Sequence, residues 1–432
     1  ENGNRTTLTY PGNKVVSYGY DSLNRMTVLT NWLGGAVSYA YDNRGNLVTT
    51  TNANQTTVAY GYDYANRLLT LTNVRPDANV IATYALGLDA IGNHLQATNE
   101  QPLFPILLNL TNSYAYDSDN RLTNVDGLTI ASDASGNLTN IGPQTLAYDF
   151  ENRLIQFALT NATGTCAYDG LGNRLARTVS GEARQFVLDR MAALTQVLVE
   201  TDTNGSPVAF YIYGLGLAQR ITPASETTTY HFDIRGSTVA ITDAAGNVTA
   251  AYAFDSFGVV ANSEGDSPQP FRYLGRYGIM DDRTGLYHAR ARYFSPQLGR
   301  FLTKDPVTGK DSDGQSLNRY VYALNNPLKW LDISGLSARE GEPTSADILG
   351  QLNFSDLPRE LFEELLRRIG ERLELYVDTR YGRVTIGQLR LSPGNSIDLR
   401  GLRFAANGLR VYGIVQSTRV ELSARGVDFS TL

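Results

Sequence analysis

Alternation of apolar and polar residues dominates the first half of the chain. Segment 58–62 reads VAYGY, in which every second side chain is large and apolar, the two-residue period of a β-strand with one buried face. Asp63 and Asn66 follow within a four-residue turn, in which aspartate caps backbone N–H groups and asparagine accepts a positive φ. Leu68 then starts the next alternating segment. Each such unit predicts one β-hairpin step.

The same unit recurs along the chain, and this internal repetition is the main feature of the sequence. Six of the nine copies have a tyrosine directly before the aspartate, and four of these read Tyr-x-Tyr-Asp. Gly-Asn or Asn-Arg and then usually leucine follow the aspartate in most copies, and the first three copies are 21 residues apart. The turn aspartates are Asp21, Asp42, Asp63, Asp89, Asp117, Asp133, Asp149, Asp169 and Asp189. Because neighbouring units can cover each other's strand edges, we expect the hairpin steps to pair side by side.

The polar and aromatic side chains of the repeat predict structural roles. We interpret the aspartates as turn caps in preference to catalytic or calcium-binding groups. We interpret the tyrosines as strand packing, with their hydroxyls at the wet side of the sheet. The arginine of each Asn-Arg-Leu unit is expected to pair with the turn carbonyls or the aspartate of the neighbouring repeat. A tyrosine track that binds sugars is the alternative for the aromatic residues.

Composition supports a β-rich protein and removes several functional classes. Tyrosine (26 residues) outnumbers phenylalanine (15) and glycine reaches 40, a bias towards strands and turns. The formal net charge of −6 gives no reason to expect nucleic-acid binding. No apolar run reaches the roughly 18 residues that a membrane span needs. The chain begins at Glu1 within a repeat and without a signal peptide, as expected of a piece of a longer protein.

The few histidine and cysteine residues give no catalytic or metal-binding pattern. Cys166 is the single cysteine, so it cannot form a disulfide within this chain, and a catalytic role would require a positioned histidine. His231 and His288 lie in strand-like segments without a second ligand at metal-binding spacing, which favours structural roles. We therefore expect no cofactor and no metal site.

From residue 210 onwards the weak repeats give way to a dense series of short motifs. They are YHFDIRGSTVAITDAAGNVTAAYAFDSFG at 230–258, DDRTGLYHARARYFSPQLGRFLTKDP at 281–306, NRYVYALNNPL at 318–328 and DISGL at 332–336. In the order of these motifs and of the repeats before them, the chain resembles the Rhs/YD-repeat family, which includes bacterial Rhs proteins, the C component of ABC-type insecticidal toxins and the teneurins.

This resemblance implies a fold and a domain order. The implied fold is all-β, with a spiralling YD-repeat sheet that forms part or all of a hollow shell, followed by a small α+β C-terminal segment. The expected domains are the β-repeats at 1–209, the Rhs-associated core domain that closes the shell at 210–336, and a variable C-terminal domain at 337–432.

The resemblance also implies self-cleavage after the leucine of the family's Asp-Pro-x-Gly-Leu motif by a pair of aspartates. Carried over to this sequence, the catalytic pair is Asp305 and Asp332, Arg292 orients them or balances their charge, and the scissile bond is Leu336–Ser337. The chemistry is sound because two carboxylates held close together share one proton, so one acts as the acid while the other activates water.

Two residues depart from the family pattern, and a structural alternative stands beside the catalytic one. Ser295 replaces an aspartate, and Ile333 replaces the proline at the predicted cleavage site, where it alters the turn. In the alternative, Asp305 and Asp332 are only turn caps, since each begins an Asp-Pro or Asp-x-x-Gly turn.

The C-terminal segment differs in pattern from everything before it. Residues 356–375 predict an amphipathic helix with Pro358 in its first turn, and strand patterns with alternating arginines follow Tyr376. The segment has no histidine, cysteine or lysine, which excludes histidine-based nucleases and cysteine proteases. We interpret its arginines as a solvated face rather than a nucleic-acid site.

Two functions remain open from the sequence. In the first, an Rhs-type β-shell encloses its own C-terminal passenger, a polymorphic toxin or effector, and releases it by single-turnover autoproteolysis after Leu336. A secretion system or toxin complex is then the expected partner. In the second, a non-enzymatic cell-surface protein of the same fold serves as a scaffold, in adhesion or in carbohydrate binding. The family resemblance implies a secreted or cell-surface bacterial protein in both cases.

Overall fold

The computed structural model describes residues 4–107, 111–265, 267–307, 314–336, 338–340, 375–379, 382–386, 404–406 and 409–411. The chain divides into two compact units, one of Arg5–Gln351 and one of Glu1–Asn4 with Leu352–Leu432. In the described part, regular structure is almost entirely β-strand, and the two helices, Gly275–Tyr277 and Ala323–Asn325, are 3-10 turns. The expected all-β fold is confirmed.

Within residues 4–107, nine strands form one antiparallel sheet in which each strand pairs with the next in sequence. They are β1 (Thr7–Tyr10), β2 (Lys14–Tyr20), β3 (Met26–Thr30), β4 (Ala36–Tyr41), β5 (Leu47–Thr51), β6 (Thr57–Tyr62), β7 (Leu68–Val74), β8 (Val80–Leu88) and β9 (His94–Glu100). Asp63 shows how the strands connect: its Oδ1 accepts hydrogen bonds from the N–H groups of Ala65 and Arg67 at 2.8 and 2.9 Å. The aspartates cap turns, as predicted.

Within residues 111–265, sixteen strands form a second sheet with the same sequential order. They are β10 (Tyr114–Tyr116), β11 (Leu122–Val125), β12 (Leu128–Ser132), β13 (Leu138–Ile141), β14 (Gln144–Tyr148), β15 (Leu154–Ala158), β16 (Thr163–Tyr168), β17 (Arg174–Val179), β18 (Glu182–Asp189), β19 (Gln196–Thr201), β20 (Pro207–Tyr213), β21 (Leu217–Ile221), β22 (Thr227–Phe232), β23 (Thr238–Thr242), β24 (Val248–Phe254) and β25 (Val260–Glu264). Strand β20 crosses the expected domain boundary at 209/210, and the expected domains remain predictions.

Residues 267–336, here called the closing segment, follow the second sheet and add two small antiparallel pairings. One is a sheet of β26 (Met280–Asp281), β27 (Tyr287–Ala289), β28 (Arg292–Ser295) and β29 (Arg300–Phe301). In the other, β30 (Trp330–Leu331) pairs with β31 (Arg339–Glu340), which lies beyond Leu336. The loop between β30 and β31 therefore contains the predicted cleavage site.

Strands β19 to β24 of the second sheet are buried on both faces. On one face Phe210 packs edge-on against Trp32 of the first sheet at a centroid distance of 5.3 Å. On the other face Tyr211 packs against Phe271 of the closing segment at 4.8 Å. The closing segment is also tied to repeat turns, since the Tyr320 hydroxyl donates to Gly136 O at 2.9 Å. The closing segment is thus part of the repeat core, not an appendage to it.

The repeat arginines behave as the sequence predicts. Arg67 Nε donates to Asp63 Oδ2 at 2.6 Å, and its Nη1 donates to the carbonyl of Asp89 in the next unit at 2.8 Å. Arg153 makes the equivalent pair of contacts with Asp149 and Asp169 at 2.7 and 3.0 Å. Arg67 and Arg153 therefore each close their own turn and tie it to the next one.

The tyrosine hydroxyls differ from the expectation that they face water. Tyr62 donates to Leu47 O at 3.0 Å and Tyr168 donates to Leu154 O at 2.8 Å. In both cases the tyrosine directly before the turn aspartate donates to the carbonyl of the first residue of an earlier strand, Leu47 of β5 or Leu154 of β15. The tyrosines therefore link units in a second way.

In the second unit, four strands form an antiparallel sheet in the order β33-β32-β34-β35. They are β32 (Leu375–Thr379), β33 (Gly382–Ile386), β34 (Phe404–Ala406) and β35 (Leu409–Val411). Residues 356–374 of the expected helix lie outside the described residues, while Leu375 begins a strand. No helix in the described ranges has the length and apolar character required to cross a bilayer.

Candidate functional site

The three residues that the sequence singles out meet at one guanidinium group. Arg292 Nη2 lies 2.6 Å from Asp305 Oδ2 and 3.3 Å from Asp332 Oδ2. The side chains of Arg292 and Asp332 are each 3% exposed and that of Asp305 is 15% exposed. Both carboxylates are therefore within hydrogen-bonding distance of a single nitrogen, in a site that is largely withdrawn from solvent.

Packing and hydrogen bonds fix the orientation of Arg292. It is the first residue of β28, and its guanidinium stacks over the Phe301 ring at 3.6 Å from the ring centroid. Nη1 donates to Arg319 O at 3.1 Å, and Nε donates to Gly335 O. A planar fork held at all of its nitrogens cannot rotate away from the carboxylates.

Asp305 is held through its backbone by Arg319. The N–H of Asp305 donates to Arg319 O at 2.8 Å, and Arg319 Nε donates back to Asp305 O at 2.6 Å. Asp305 Oδ1 accepts the N–H of Val307 at 2.8 Å, which leaves Oδ2 directed at Arg292. Arg319 cannot be identified from the sequence, because its contacts are with main-chain atoms and leave no pattern in the side chains.

The environment of Asp305 stabilises its protonated form more than water does. Burial raises the pKa of Asp305 to about 6, with a smaller upward contribution from the charge of Asp332, while Arg292 acts in the opposite direction. One guanidinium charge balances only one of two carboxylates. Burial and the second carboxylate therefore act together against a negative charge on Asp305.

Asp332 holds the main chain immediately before the predicted cleavage point. Its Oδ1 accepts the N–H groups of Gly335 at 2.8 Å and Leu336 at 3.1 Å, and the Ser334 hydroxyl at 3.3 Å. One carboxylate oxygen thus caps the turn while the other faces Arg292. Ser337, the other half of the predicted scissile bond, lies outside the described residues.

Gly335 allows this turn to approach strands β27 and β28. Its φ of +74° is one that L side chains rarely adopt, and a Cβ there would collide with the carbonyl oxygen of Ala289. The two family departures are accommodated nearby: Ser295 is buried in β28 and accepts the N–H of Leu298 at 3.3 Å, and Ile333 packs against the closing-segment core.

The remaining titratable candidates are buried away from this site. Burial lowers the pKa of His231 to about 3, and its Nε2 lies 2.9 Å from the Thr242 hydroxyl. Burial also lowers the pKa of His288 and raises that of Cys166, whose Sγ lies 3.1 Å from the Tyr293 hydroxyl. Among the described residues, no group of three or more His, Cys, Asp or Glu side chains is arranged to hold a metal ion.

Comparisons with known proteins agree with the repeat and with the closing segment. The tRNA nuclease WapA of Bacillus subtilis (strain 168) is 31% identical over 223 residues, which cover 50% of this chain and 9% of WapA. Toxin protein Tse5 of Pseudomonas aeruginosa is 32% identical over 131 residues, which cover 30% of this chain and 10% of Tse5. The chain therefore spans only a small part of the length of these relatives.

Solved structures share the fold. The crystal structure of TcdB2-TccC3-TEV matches 77% of this chain and 21% of its own, with a TM-score of 0.57 and 18% identity. A structure of the Photorhabdus luminescens Tc holotoxin pore gives a TM-score of 0.56 over the same shares. The RHS Repeat family model matches residues 1–36 and 41–78, and the Teneurin YD-shell model matches residues 89–328. Since the latter match covers more than half of the sequence, the chain belongs to the Teneurin YD-shell family.

Proposed function

We propose that this chain is the closing part of an Rhs-type β-shell that cuts itself after Leu336 and so releases the segment that follows. The observation that carries the proposal is the Arg292 guanidinium, which lies 2.6 Å from Asp305 and 3.3 Å from Asp332. Asp332 also binds the N–H of Leu336, so the paired acids adjoin the bond to be cut.

The two aspartates take different roles because their surroundings differ. The raised pKa of Asp305, about 6, makes it the proton donor. Asp332 accepts hydrogen bonds from two backbone N–H groups and faces a guanidinium, and its contact with the N–H of Leu336 places it next to the bond to be cut, which suits it to act as the base. Arg292 keeps the two carboxyl groups together without neutralising both of them.

Cleavage proceeds by addition of water across the peptide bond. Asp332 removes a proton from water, and the resulting hydroxide adds to the carbonyl carbon of Leu336. Asp305 donates its proton to the amide nitrogen of Ser337, and the carbon–nitrogen bond breaks. Leu336 is left with a carboxyl group and Ser337 with an amino group, while one proton remains on the pair. Each chain consumes one water molecule and reacts once.

The proposed passenger is the chain's own C-terminal segment, 337–432, with the shell as its container. Relatives that carry the names tRNA nuclease and toxin protein support a toxin or effector as the passenger class. The fold shared with TcdB2-TccC3-TEV supports a toxin-complex or secretion partner. Under this proposal the protein acts at the bacterial surface or after secretion.

A non-enzymatic scaffold is the second candidate function. It is favoured by the hydrogen bonds of Asp332 Oδ1, which by themselves explain an aspartate at this turn. In that case the Asp305–Arg292–Asp332 contact only fastens the closing segment, and the Leu336–Ser337 bond stays intact.

Intact mass spectrometry of the purified chain separates the two functions. Self-cleavage yields a fragment that begins at Ser337, and Asp305→Asn abolishes it. Asp169→Asn removes a turn aspartate of the repeats that is distant in sequence and serves as the matched control, which should cut normally. A wild-type chain that stays intact at every pH between 4.5 and 8, or an Asp305→Asn chain that cuts at the normal rate, would rule out the aspartate mechanism.

A further inference from the structure

Three successive carbonyl oxygens before Leu336 are each hydrogen-bonded to the hairpin turn between β27 and β28. The donors and acceptors, in order, are Arg290 Nη1 to Ile333 O at 2.6 Å, the Ala291 N–H to Ser334 O at 3.2 Å, and Arg292 Nε to Gly335 O. Donors 290–292 and acceptors 333–335 run in the same direction along the chain. The turn therefore binds the main chain in one register, and the next carbonyl in the series is that of Leu336.

The opposite edge of the same segment is also bound. Asp332 Oδ1 accepts the N–H groups of Gly335 and Leu336 at 2.8 and 3.1 Å. The segment before the predicted scissile bond is thus held through its carbonyls on one side and through its N–H groups on the other. A protease cleft likewise holds its substrate by main-chain bonds, which fix which peptide group reaches the catalytic acids.

Arg290 connects this binding turn to the rest of the fold. Besides Ile333 O, its guanidinium donates to Thr195 O at 3.1 Å, in the loop between β18 and β19, and to Tyr277 O. These three acceptors are main-chain carbonyls from three distant parts of the sequence. Burying a guanidinium among neutral carbonyls is unfavourable unless the geometry is well satisfied, and its planar fork suits such a three-way junction.

On the basis of the proposed cleavage, we propose that the 289–292 hairpin is a main-chain binding site for residues 333–335. Arg290 is the positioning residue that sets the register of the Leu336–Ser337 bond against the aspartate pair. Because the site donates hydrogen bonds to carbonyl oxygens, it recognises the main chain of residues 333–335 and not their side chains. Ile333 in place of the family's proline is therefore compatible with cleavage, whereas loss of the Arg290 guanidinium slows it.

Cleavage rates test the positioning role. Arg290→Gln should slow cleavage about tenfold to a hundredfold, the range expected when a hydrogen bond to a charged donor is lost, and Arg290→Lys should restore part of the rate. Ile333→Val and Ile333→Pro should stay within about threefold of wild type, because neither change removes the carbonyl. Arg276→Ala is the matched control, since Arg276 is also a buried arginine bound to a carbonyl, that of Leu215. A larger effect of the Ile333 changes than of Arg290→Gln would contradict a backbone-reading site.

Hydrogen exchange tests the same inference without relying on cleavage. In an Asp305→Asn background, amide exchange of Gly335 and Leu336 should rise about tenfold with Arg290→Gln and should not change with Arg276→Ala. Unchanged exchange at these two amides overturns the inference. The inference is also overturned if Arg290→Lys raises amide exchange uniformly throughout the repeat sheets, because that pattern indicates that the whole fold is destabilised. If exchange rises only at Gly335 and Leu336 but the wild-type chain never cuts itself, the binding site is supported and the proposed cleavage is refuted.

Discussion

The pH dependence of cleavage tests the roles of the two aspartates most directly. The pKa of Asp305 is raised to about 6 by burial and, to a smaller extent, by Asp332. The protonated fraction of Asp305 is then about 0.9 at pH 5, about 0.1 at pH 7 and about 0.01 at pH 8. If protonated Asp305 is the acid, the rate should fall about tenfold between pH 5 and pH 7, and a further tenfold by pH 8.

The rate falls again at low pH, where a second proton occupies the pair and removes the base. The profile is therefore bell-shaped, and its two limbs belong to the pair as a unit. The chain can be purified rapidly at pH 8.5, where cleavage is slowest, and shifted to a series of buffers. The fragment beginning at Ser337 is then measured by mass spectrometry against time.

Stability must be followed in parallel, because the same group affects it. A raised carboxyl pKa means that the native state binds more protons than the unfolded state between about pH 4 and pH 6. This contribution therefore destabilises the fold as the pH rises through that window and changes little above it. Circular dichroism at each pH shows whether the chain stays folded. A rate that is independent of pH from 5 to 8 in a folded chain, or one that increases with pH, would refute the assignment of Asp305 as the acid.

Three other substitutions test how the site and the repeats are held. Gly335→Ala should abolish cleavage, because its Cβ would collide with the carbonyl of Ala289 and displace the turn that carries the scissile bond; fragment yield measures it. Asp282→Asn should lower the free energy of unfolding by about 3–5 kcal/mol, because it leaves the buried Arg174 guanidinium without its partner; chemical denaturation measures it. Arg153→Ala should cost about 1 kcal/mol in the same assay, because the link between two repeat turns is lost.

Matched variants separate the proposed causes from general damage. Gly285→Ala imposes a similar backbone strain at φ +79°, but its Cβ would lie 3.8 Å from the nearest atom, so it should leave cleavage unchanged. Combining Asp282→Asn with Arg174→Met removes the buried Arg174 charge as well and should recover part of the lost stability, while Arg177, which also lies 3.3 Å from Asp282, keeps its charge. Arg190→Ala removes an arginine that is 58% exposed and should cost far less than Arg153→Ala. If Arg190→Ala and Arg153→Ala lowered the free energy of unfolding by the same amount, the linking role of the repeat arginines would be contradicted.

The features that the sequence predicted correctly are local. The turn aspartates accept hydrogen bonds from N–H groups two and four residues ahead, as Asp63 does from Ala65 and Arg67. Residues that are close in sequence are also in contact here, so the sequence pattern alone identifies the partners. The arginine slot could be predicted for the same reason, because pairing of adjacent strands brings each turn next to the following one. In a regular repeat, a contact between residues about 20 positions apart is thus a contact between adjacent units, and it recurs with the repeat.

The features that it missed depend on contacts with main-chain atoms or on burial. Arg290 and Arg319 bind carbonyl oxygens, which every residue carries, so no side-chain pattern identifies their partners. The raised pKa of Asp305 depends on desolvation that exists only after the closing segment packs. The family resemblance named Asp305, Asp332 and Arg292 together, but their mutual geometry required the folded chain.

The two interpretations of Asp332, turn cap and catalytic base, are compatible because they use different oxygens. Oδ1 holds the turn through Gly335 and Leu336, and Oδ2 faces Arg292. Arg292 lies on β28, Asp305 follows β29 and Asp332 follows β30, so the pair exists only when all three segments have packed together. Self-cleavage would therefore occur only after the closing segment has folded onto the repeats. In a partly folded chain the carboxylates would be apart and solvated, and each would lose the environment that lets the two share a proton.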